Sequence, residues 1–196
     1  MIFADDIILE NSIARLEPMR QEHGARLGEL AADPRLWDHN TRPAYTKVGW
    51  DAYFSDAMEA RARKQRYPFV IINKSTGLLA GSTSYGNLSI QDHRVEIGWT
   101  WIASQYWGSP LNMACKFLLL SFAFEKMNMK RVELKTDSRN MRSRKAILKL
   151  GATEEGILRS HMSKADGQRR DTIYFSILDG EWQDIRLRVF PTISSG

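Results

Sequence analysis

Hydrophobic and polar positions change their period along this chain, and each change marks an element. An extended start from Ile7 to Leu16 gives way, beyond Pro18, to a helix in which Leu27, Leu30 and Ala31 recur on one face. Trp50, Tyr53, Phe54, Ala57 and Met58 follow the helical spacing more clearly. Arg61, Arg63, Lys64 and Arg66 crowd the far end of that second helix, where cations suit the dipole, so this basic run reads as a solvated helix end. Phe69 to Ile72 and Leu78 to Tyr85 flank the turn signal Asn73-Lys74-Ser75-Thr76-Gly77 and predict an antiparallel hairpin.

From Arg94 to Trp101 the period is two. Val95, Ile97, Trp99 and Trp101 point one way, and Arg94, Glu96, Gly98 and Thr100 the other, giving a strand with a carboxylate opposite its apolar face. From Leu111 the period becomes 3.6, and Leu111, Ala114, Cys115, Leu118, Leu119, Phe122 and Ala123 make the broad apolar face of a buried helix. Val132, Leu134 and Thr136 then alternate with Arg131, Glu133 and Lys135 in another strand. A short helix from about Met141 to Leu150 stops at Gly151, a residue suited to a helix C-terminus. Gly156 to Met162 and Asp171 to Leu178 flank the hairpin signal Lys164-Ala165-Asp166-Gly167, and Glu181 to Val189 closes as a helix. This order predicts a mixed sheet, antiparallel in its first half, with one right-handed crossover through the Leu111 helix.

No repeat, low-complexity tract or linker interrupts the pattern, so residues 1–190 read as one domain and 191–196 as a loose tail. The length allows a sizeable core without metal or disulfide support. A single cysteine, Cys115, offers neither an intramolecular disulfide nor a thiolate zinc site, and His23, His39, His93 and His161 lack metal-ligand spacing, so no metal is expected. Cys115 lies on the apolar helix face, which favours packing over nucleophilic chemistry. No stretch reaches the roughly 18 apolar residues of a membrane span, and the start lacks the basic segment of a signal peptide; the expected home is cytoplasmic, with no membrane partner. The 28 Lys and Arg against 23 Asp and Glu give a net charge of +5, which suggests an anionic partner without naming it.

Candidate chemistry concentrates in Gln105-Tyr106-Trp107-Gly108-Ser109-Pro110-Leu111-Asn112, which joins the alternating strand to the buried helix. A helix N-terminus presents unpaired N–H groups and the positive end of the dipole, and Gly108 lets the backbone approach a phosphate with no Cβ in the way. An ordinary strand-to-helix loop, with Pro110 suited to a helix start, fits the same residues.

Several motifs in order carry a family resemblance: Glu96-Ile97-Gly98-Trp99; Gln105-Tyr106-Trp107-Gly108-Ser109; a long apolar helix; Arg131-Val132-Glu133-Leu134; Thr136-Asp137-Ser138-Arg139-Asn140-Met141-Arg142-Ser143; and Leu150-Gly151-Ala152. Together they resemble the GNAT N-acetyltransferases, in particular the ribosomal-protein N-acetyltransferase-like branch, over about Leu9 to Leu187. The resemblance implies an α+β, three-layer fold with a mixed, mostly antiparallel central sheet flanked by helices. It implies acetyl-coenzyme A as cosubstrate and a primary amine, either a protein N-terminus or a small molecule, as acceptor, with a homodimer as an expected assembly.

By the same resemblance, backbone groups around Gln105, Tyr106, Trp107, Gly108, Ser109, Leu111 and Asn112 hold the pyrophosphate. The pantetheine arm lies along the strand at Trp99 and Trp101, and Asn140 and Ser143 line the opposite wall. Gln105 and Gly108 match two anchors of the family's phosphate pattern; Pro110 departs from the third and removes an N–H. Asn140 reads equally as a helix N-cap.

Near neutral pH a free α-amino group, with a pKa of roughly 7.7–8.0, and still more a lysine at about 10.4, is mostly protonated and must lose a proton before it attacks. Glu96, the one acid of its strand and opposite Val95 and Ile97, matches the family's general base; the other reading is a surface glutamate paired with Arg94 or a neighbour. Ser143 matches the proton donor to the leaving thiolate. Trp37, Trp50, Tyr53 and the His161 region are the expected walls of the acceptor site, with Trp50 and Tyr53 fitting a core role better. The basic set Lys135, Arg139, Arg142, Arg144, Lys145 and Lys149 lacks interleaved aromatic residues, which argues against nucleic acid and for a few contacts to the cofactor's 3′-phosphate. A non-catalytic acyl-coenzyme A-binding regulatory module shares the cleft and is the competing function.

Overall fold

The computed structural model describes residues 6–191, so nearly all of the tail expected over 191–196 lies outside the described residues. Among the described residues eight strands form one sheet: β1 (Leu9–Glu10), β2 (Ala14–Pro18), β3 (Arg66–Asn73), β4 (Leu78–Ser89), β5 (Arg94–Ile102), β6 (Arg131–Asp137), β7 (Thr153–Ser163) and β8 (Arg169–Leu178). Their order is β1-β2-β3-β4-β5-β6-β8-β7. Only β5 and β6 run parallel; every other neighbouring pair is antiparallel. The α-helices are α1 (Gly24–Ala31), α2 (Lys47–Ala62), α3 (Leu111–Ser121), α4 (Met141–Lys149) and α5 (Asp179–Val189).

Local chemistry explains most boundaries. Asn73 Oδ1 accepts the Ser75 N–H at 3.0 Å, and Gly77 takes φ +69°, so the β3–β4 turn closes on residues that tolerate it. Thr46 caps α2 by accepting the Gly49 N–H at 3.1 Å, and Asn140 caps α4 by accepting the Ser143 N–H at 3.0 Å. Parallel β5 and β6 need a crossover, and α3 with the π-helical turn Phe122–Lys126 supplies it.

The sheet separates two apolar layers. Phe69 and Ile71 join the core beneath α3 and α5, whereas Val70 between them joins the core under α1 and α2 with Trp37 and Trp50; alternate residues of one strand therefore serve opposite faces. Fully buried Tyr67, Phe69 and Phe175 each contribute about 1.5–3 kcal/mol relative to exposure.

Three expectations need correction. The extended start is two strands, turned where Asn11 Oδ1 accepts the Ile13 and Ala14 N–H groups. The basic run is not wholly solvated: α2 ends at Ala62, and Arg66 begins β3 as a buried residue that donates to Ser84 and Tyr53 and lies over the Trp99 ring at 4.9 Å. Trp99 and Trp101 do not continue the face of Val95 and Ile97. Pairing of β4 with β5 passes from Ser84–Gly98 to Ser82–Trp101, so two β5 residues oppose Thr83 alone, and Trp99 takes φ +50°. That bulge reverses the alternation. Val95 and Ile97 pack under α3, while Trp101 packs with Trp37 and Trp50 on the other face.

Candidate active site

Pairing of β5 with β6 covers only Arg94–Arg131, Val95–Val132 and Glu96–Glu133, and beyond Glu96 the strands part. A cleft of about 430 Å³ opens at this fork, lined by the edge Glu96–Ile102, the turn after β5, the first turns of α3 and α4, and the segment 38–41. Parity gives the fork two sides. Leu134 packs in the core beneath α3, so Glu133 and Lys135, on alternate positions, face the α1–α2 side, as does Glu96.

Glu96 is 3% exposed. Its Oε2 accepts from Asn87 Nδ2 at 2.7 Å and lies 2.8 Å from Lys135 Nζ. Its Oε1 sits against Gly98, where an added Cβ would lie 2.7 Å away, and makes no hydrogen bond among the described residues. Glu96 is thus held by one oxygen and presents the other in the cleft. Asn87 reaches it from a left-handed position of β4, φ +48°, which asparagine tolerates better than most residues. Arg94, the partner named in the competing reading, pairs with Asp92 and Glu133.

The turn after β5 is a 3-10 segment, Ser104–Tyr106, followed by Trp107 and Gly108. Gly108 has φ +75° with open space where a Cβ would stand, and Ser109 Oγ accepts the Leu111 N–H at 3.3 Å. The next two amides, of Asn112 and Met113, belong to the first turn of α3 and have no intrahelical acceptor. Arg142 from α4 lies 3.8 Å over the Trp107 ring at the same rim. A concave backbone, a helix N-terminus and a guanidinium make this end suited to phosphate.

Of the residues singled out from sequence, Glu96, Trp99, Trp101, Tyr106, Trp107, Gly108, Ser109, Asn112, Asn140 and Ser143 line the cleft. Gln105 is exposed outside it, and Leu111 is buried in the core. Trp101 contributes chiefly backbone, since its ring packs against Trp37 and Trp50. Trp37 and Trp50 are buried in that core, and exposed His161 stands by Tyr174 rather than in the cleft, where its neighbour Met162 lies. The basic set divides: Lys135 serves Glu96, Arg139 pairs with Asp137, Arg144 pairs with Glu154, and Arg142 faces the cleft.

A family model described as the acetyltransferase (GNAT) domain matches residues 14–153. The chain belongs to the GNAT acetyltransferases. The GNAT membership makes it an acyltransferase of the N-acetyltransferase type, on an open mixed sheet flanked by helices. YdaF of Bacillus subtilis, named as a candidate ribosomal N-acetyltransferase, is 33% identical over 107 residues, 55% of this chain and 57% of YdaF, so the match spans little more than half of that relative. A GCN5-related N-acetyltransferase from Brucella melitensis has a TM-score of 0.85 at 26% identity, covering 93% of this chain and 83% of that one. RimJ from Mycobacterium smegmatis, solved in complex with CoA-disulfide, shares the fold with a TM-score of 0.73 at 22% identity, covering 90% and 88%.

Asn87, Lys116 and Arg170 escaped the sequence reading of this GNAT site. Lys116 is buried on α3, donates to Thr100 Oγ1 at 2.7 Å, and lines the cleft; desolvation pulls its pKa down to about 8. A lysine interrupting an apolar helix face was the available signal. Asn87 and Arg170 gave none, because strand pairing alone brings them to the fork. Among the described residues no helix is long and apolar enough to cross a membrane.

Proposed function

We propose that the protein transfers the acetyl group of acetyl-coenzyme A to a primary amine by direct attack, with Glu96 as general base. The observation that carries this reading is the fork itself: β5 leaves β6 immediately after a buried glutamate whose free oxygen faces the opening. RimJ, of the same fold, was solved with a coenzyme A derivative. The residues here suit such a ligand, because the open backbone at Gly108, the N-terminus of α3 and Arg142 offer donors to its phosphates. The name of YdaF puts protein N-termini among the acceptors to be tested.

Acetyl-coenzyme A supplies an acyl group activated as a thioester. The edge of β5 from Gly98 to Ile102, freed from β6, offers backbone groups to the pantetheine arm. Glu96 Oε1 takes the proton of the incoming ammonium, directly or through one water, while Asn87 and Lys135 hold the other oxygen and fix the carboxylate plane. The bulge at Trp99 and Thr100, which takes a residue out of the ladder, turns backbone amides toward the negative charge that gathers on the carbonyl oxygen. Ser143 Oγ, in the cleft with no partner among the described residues, gives its proton to the departing sulfur and takes up the second proton that the nitrogen loses as the amide forms. Cys115 takes no covalent part, since it is fully buried and desolvation pushes its thiol up to about 12.

Incubation with acetyl-coenzyme A and a panel of peptides and small amines tests the reading. Free thiol should appear in step with acetylated amine identified by mass. Absence of both, with every acceptor, would defeat it.

A further inference from the structure

Arg170 is a buried charge in this cleft that the proposed reaction leaves unused. It stands near the start of β8, opposite Met162 of β7, just past Asp137–Thr172, the last β6–β8 pair. Lys135, Tyr174, Thr172 and Arg170 follow one parity, so Arg170 faces the same side of the sheet as Glu96, away from α3 and α4. The β7–β8 turn meets the segment after α1 there, where the Ala165 N–H donates to Thr41 O at 2.8 Å. This is the side left to the acceptor if the cofactor enters at the α3 N-terminus.

The side chain is 9% exposed, lines the cleft, and makes no hydrogen bond or ion pair among the described residues; its Nε is buried without a partner. Two carboxylates lie within its electrostatic reach, Glu96 and Asp137. Each already has another cation: Lys135 at 2.8 Å from Glu96, and Arg139 at 3.2 Å from Asp137. Both carboxylates are therefore already matched at close range while Arg170 is not, and its guanidinium stays charged. A buried, unpaired charge is costly unless something arrives to meet it. On the same rim, exposed Asp38 has no ion pair among the described residues and is placed to attract an ammonium group.

We propose that the acceptor amine carries a carboxylate and that Arg170 receives it, so that Arg170 determines acceptor specificity. This rests on the acetyltransferase reading. A planar guanidinium with two free N–H edges suits a carboxylate in bidentate fashion, while Glu96 takes the amine end. The carboxylate comes either from a free amino acid or from an acidic side chain next to a peptide's N-terminal amine.

Matched pairs test the proposal: amino acids against their carboxamides, and dipeptide amides with Asp or Glu second against the same with Asn or Gln. In the wild type the carboxylate member of the productive series should have a kcat/KM about 10- to 100-fold higher, as expected for one charge-assisted contact. Arg170→Gln should abolish the preference through KM, with coenzyme A affinity unchanged, and Arg170→Lys should restore part of it. Preference among amino acids alone identifies the small-molecule source, and preference among dipeptides the peptide source. Equal kcat/KM within every pair, or a preference that survives Arg170→Gln, overturns the proposal while leaving the transferase intact. Calorimetry of the same pairs on the wild type with coenzyme A present decides the matter if no amine turns over or the variant does not fold. Tighter binding of the carboxylate members supports Arg170, and equal or absent binding overturns it. Absence of turnover, taken alone, counts against the transferase reading.

Discussion

Gly98 and Glu96 behave as one unit, because the space that Gly98 leaves empty is filled by the Glu96 carboxylate. A methyl group at position 98 would stand 2.7 Å from Oε1. Gly98→Ala should therefore lower kcat by at least about tenfold, the effect expected when a general base is displaced. Coenzyme A affinity should hardly change, and titration calorimetry alongside steady-state kinetics checks both. Lys116 makes a second prediction, with its sign set by burial. Its pKa falls to about 8, whereas the unfolded chain keeps the ordinary value near 10.5. Below pH 8 the lysine is charged in both states and the folded protein bears the desolvation cost. Between about 8 and 10.5 the unfolded state binds the extra proton, so stability from this residue rises with pH. Lys116→Met should stabilise the protein at pH 7 by up to about 3 kcal/mol, and the gain should shrink toward pH 10.5 in denaturant titrations. At this scale the sequence revealed Glu96, an acid alone on its strand, but neither Asn87 nor Arg170, which lie 9 and 74 positions from Glu96 in the chain and reach the fork only through strand pairing.

Among the elements, the turn between β5 and α3 and the bulge in β5 decide how the cleft is built. The turn was legible, because Gly108 followed by Pro110 before an apolar period of 3.6 has a direct backbone meaning. Gly108→Ala separates its two roles. A Cβ there meets nothing in the folded protein, so the cost to stability is only that of a left-handed alanine, about 1–2 kcal/mol. Coenzyme A affinity should fall more steeply, about tenfold or more, because the methyl group occupies the approach to the phosphates. Thermal melts and cofactor titrations on the same preparation read the two effects apart. The bulge was not legible, since Trp99 and Trp101 fit an unbroken alternation. Only the pairing with β4, where Thr83 faces two residues, reveals that the face changes, sending Trp101 toward α1 and α2. Pattern fails there because a bulge is a property of two strands. For the same reason Arg66 looked like the tail of α2, although its partners Ser84, Tyr53 and Trp99 lie on other elements.

For the whole molecule, three layers create a fork that connects two sides of one sheet. Helices α3 and α4 frame an end rich in phosphate donors, and Glu96, Lys135 and Arg170 occupy the opposite side. The net charge of +5 said only that an anion was welcome. The fold divides that excess: Arg142 and Arg170 line the cleft on its two sides without a carboxylate partner among the described residues, and Lys135, Arg139 and Arg144 are committed to carboxylates. Strand and helix order was readable because period changes are local, and the single parallel pairing followed from one crossover helix. The strand order around β8 and β7, which carries Arg170 to the fork, was not. The central claim is that a buried glutamate at the fork drives acetyl transfer to an amine. Its most direct measurement follows free thiol and acetylated product for the wild type and Glu96→Gln across pH, with coenzyme A affinity measured in parallel. The account predicts stoichiometric product and thiol from the wild type, and a loss of about 100-fold or more in the variant at unchanged cofactor affinity. An equal rate in Glu96→Gln at every pH would contradict it.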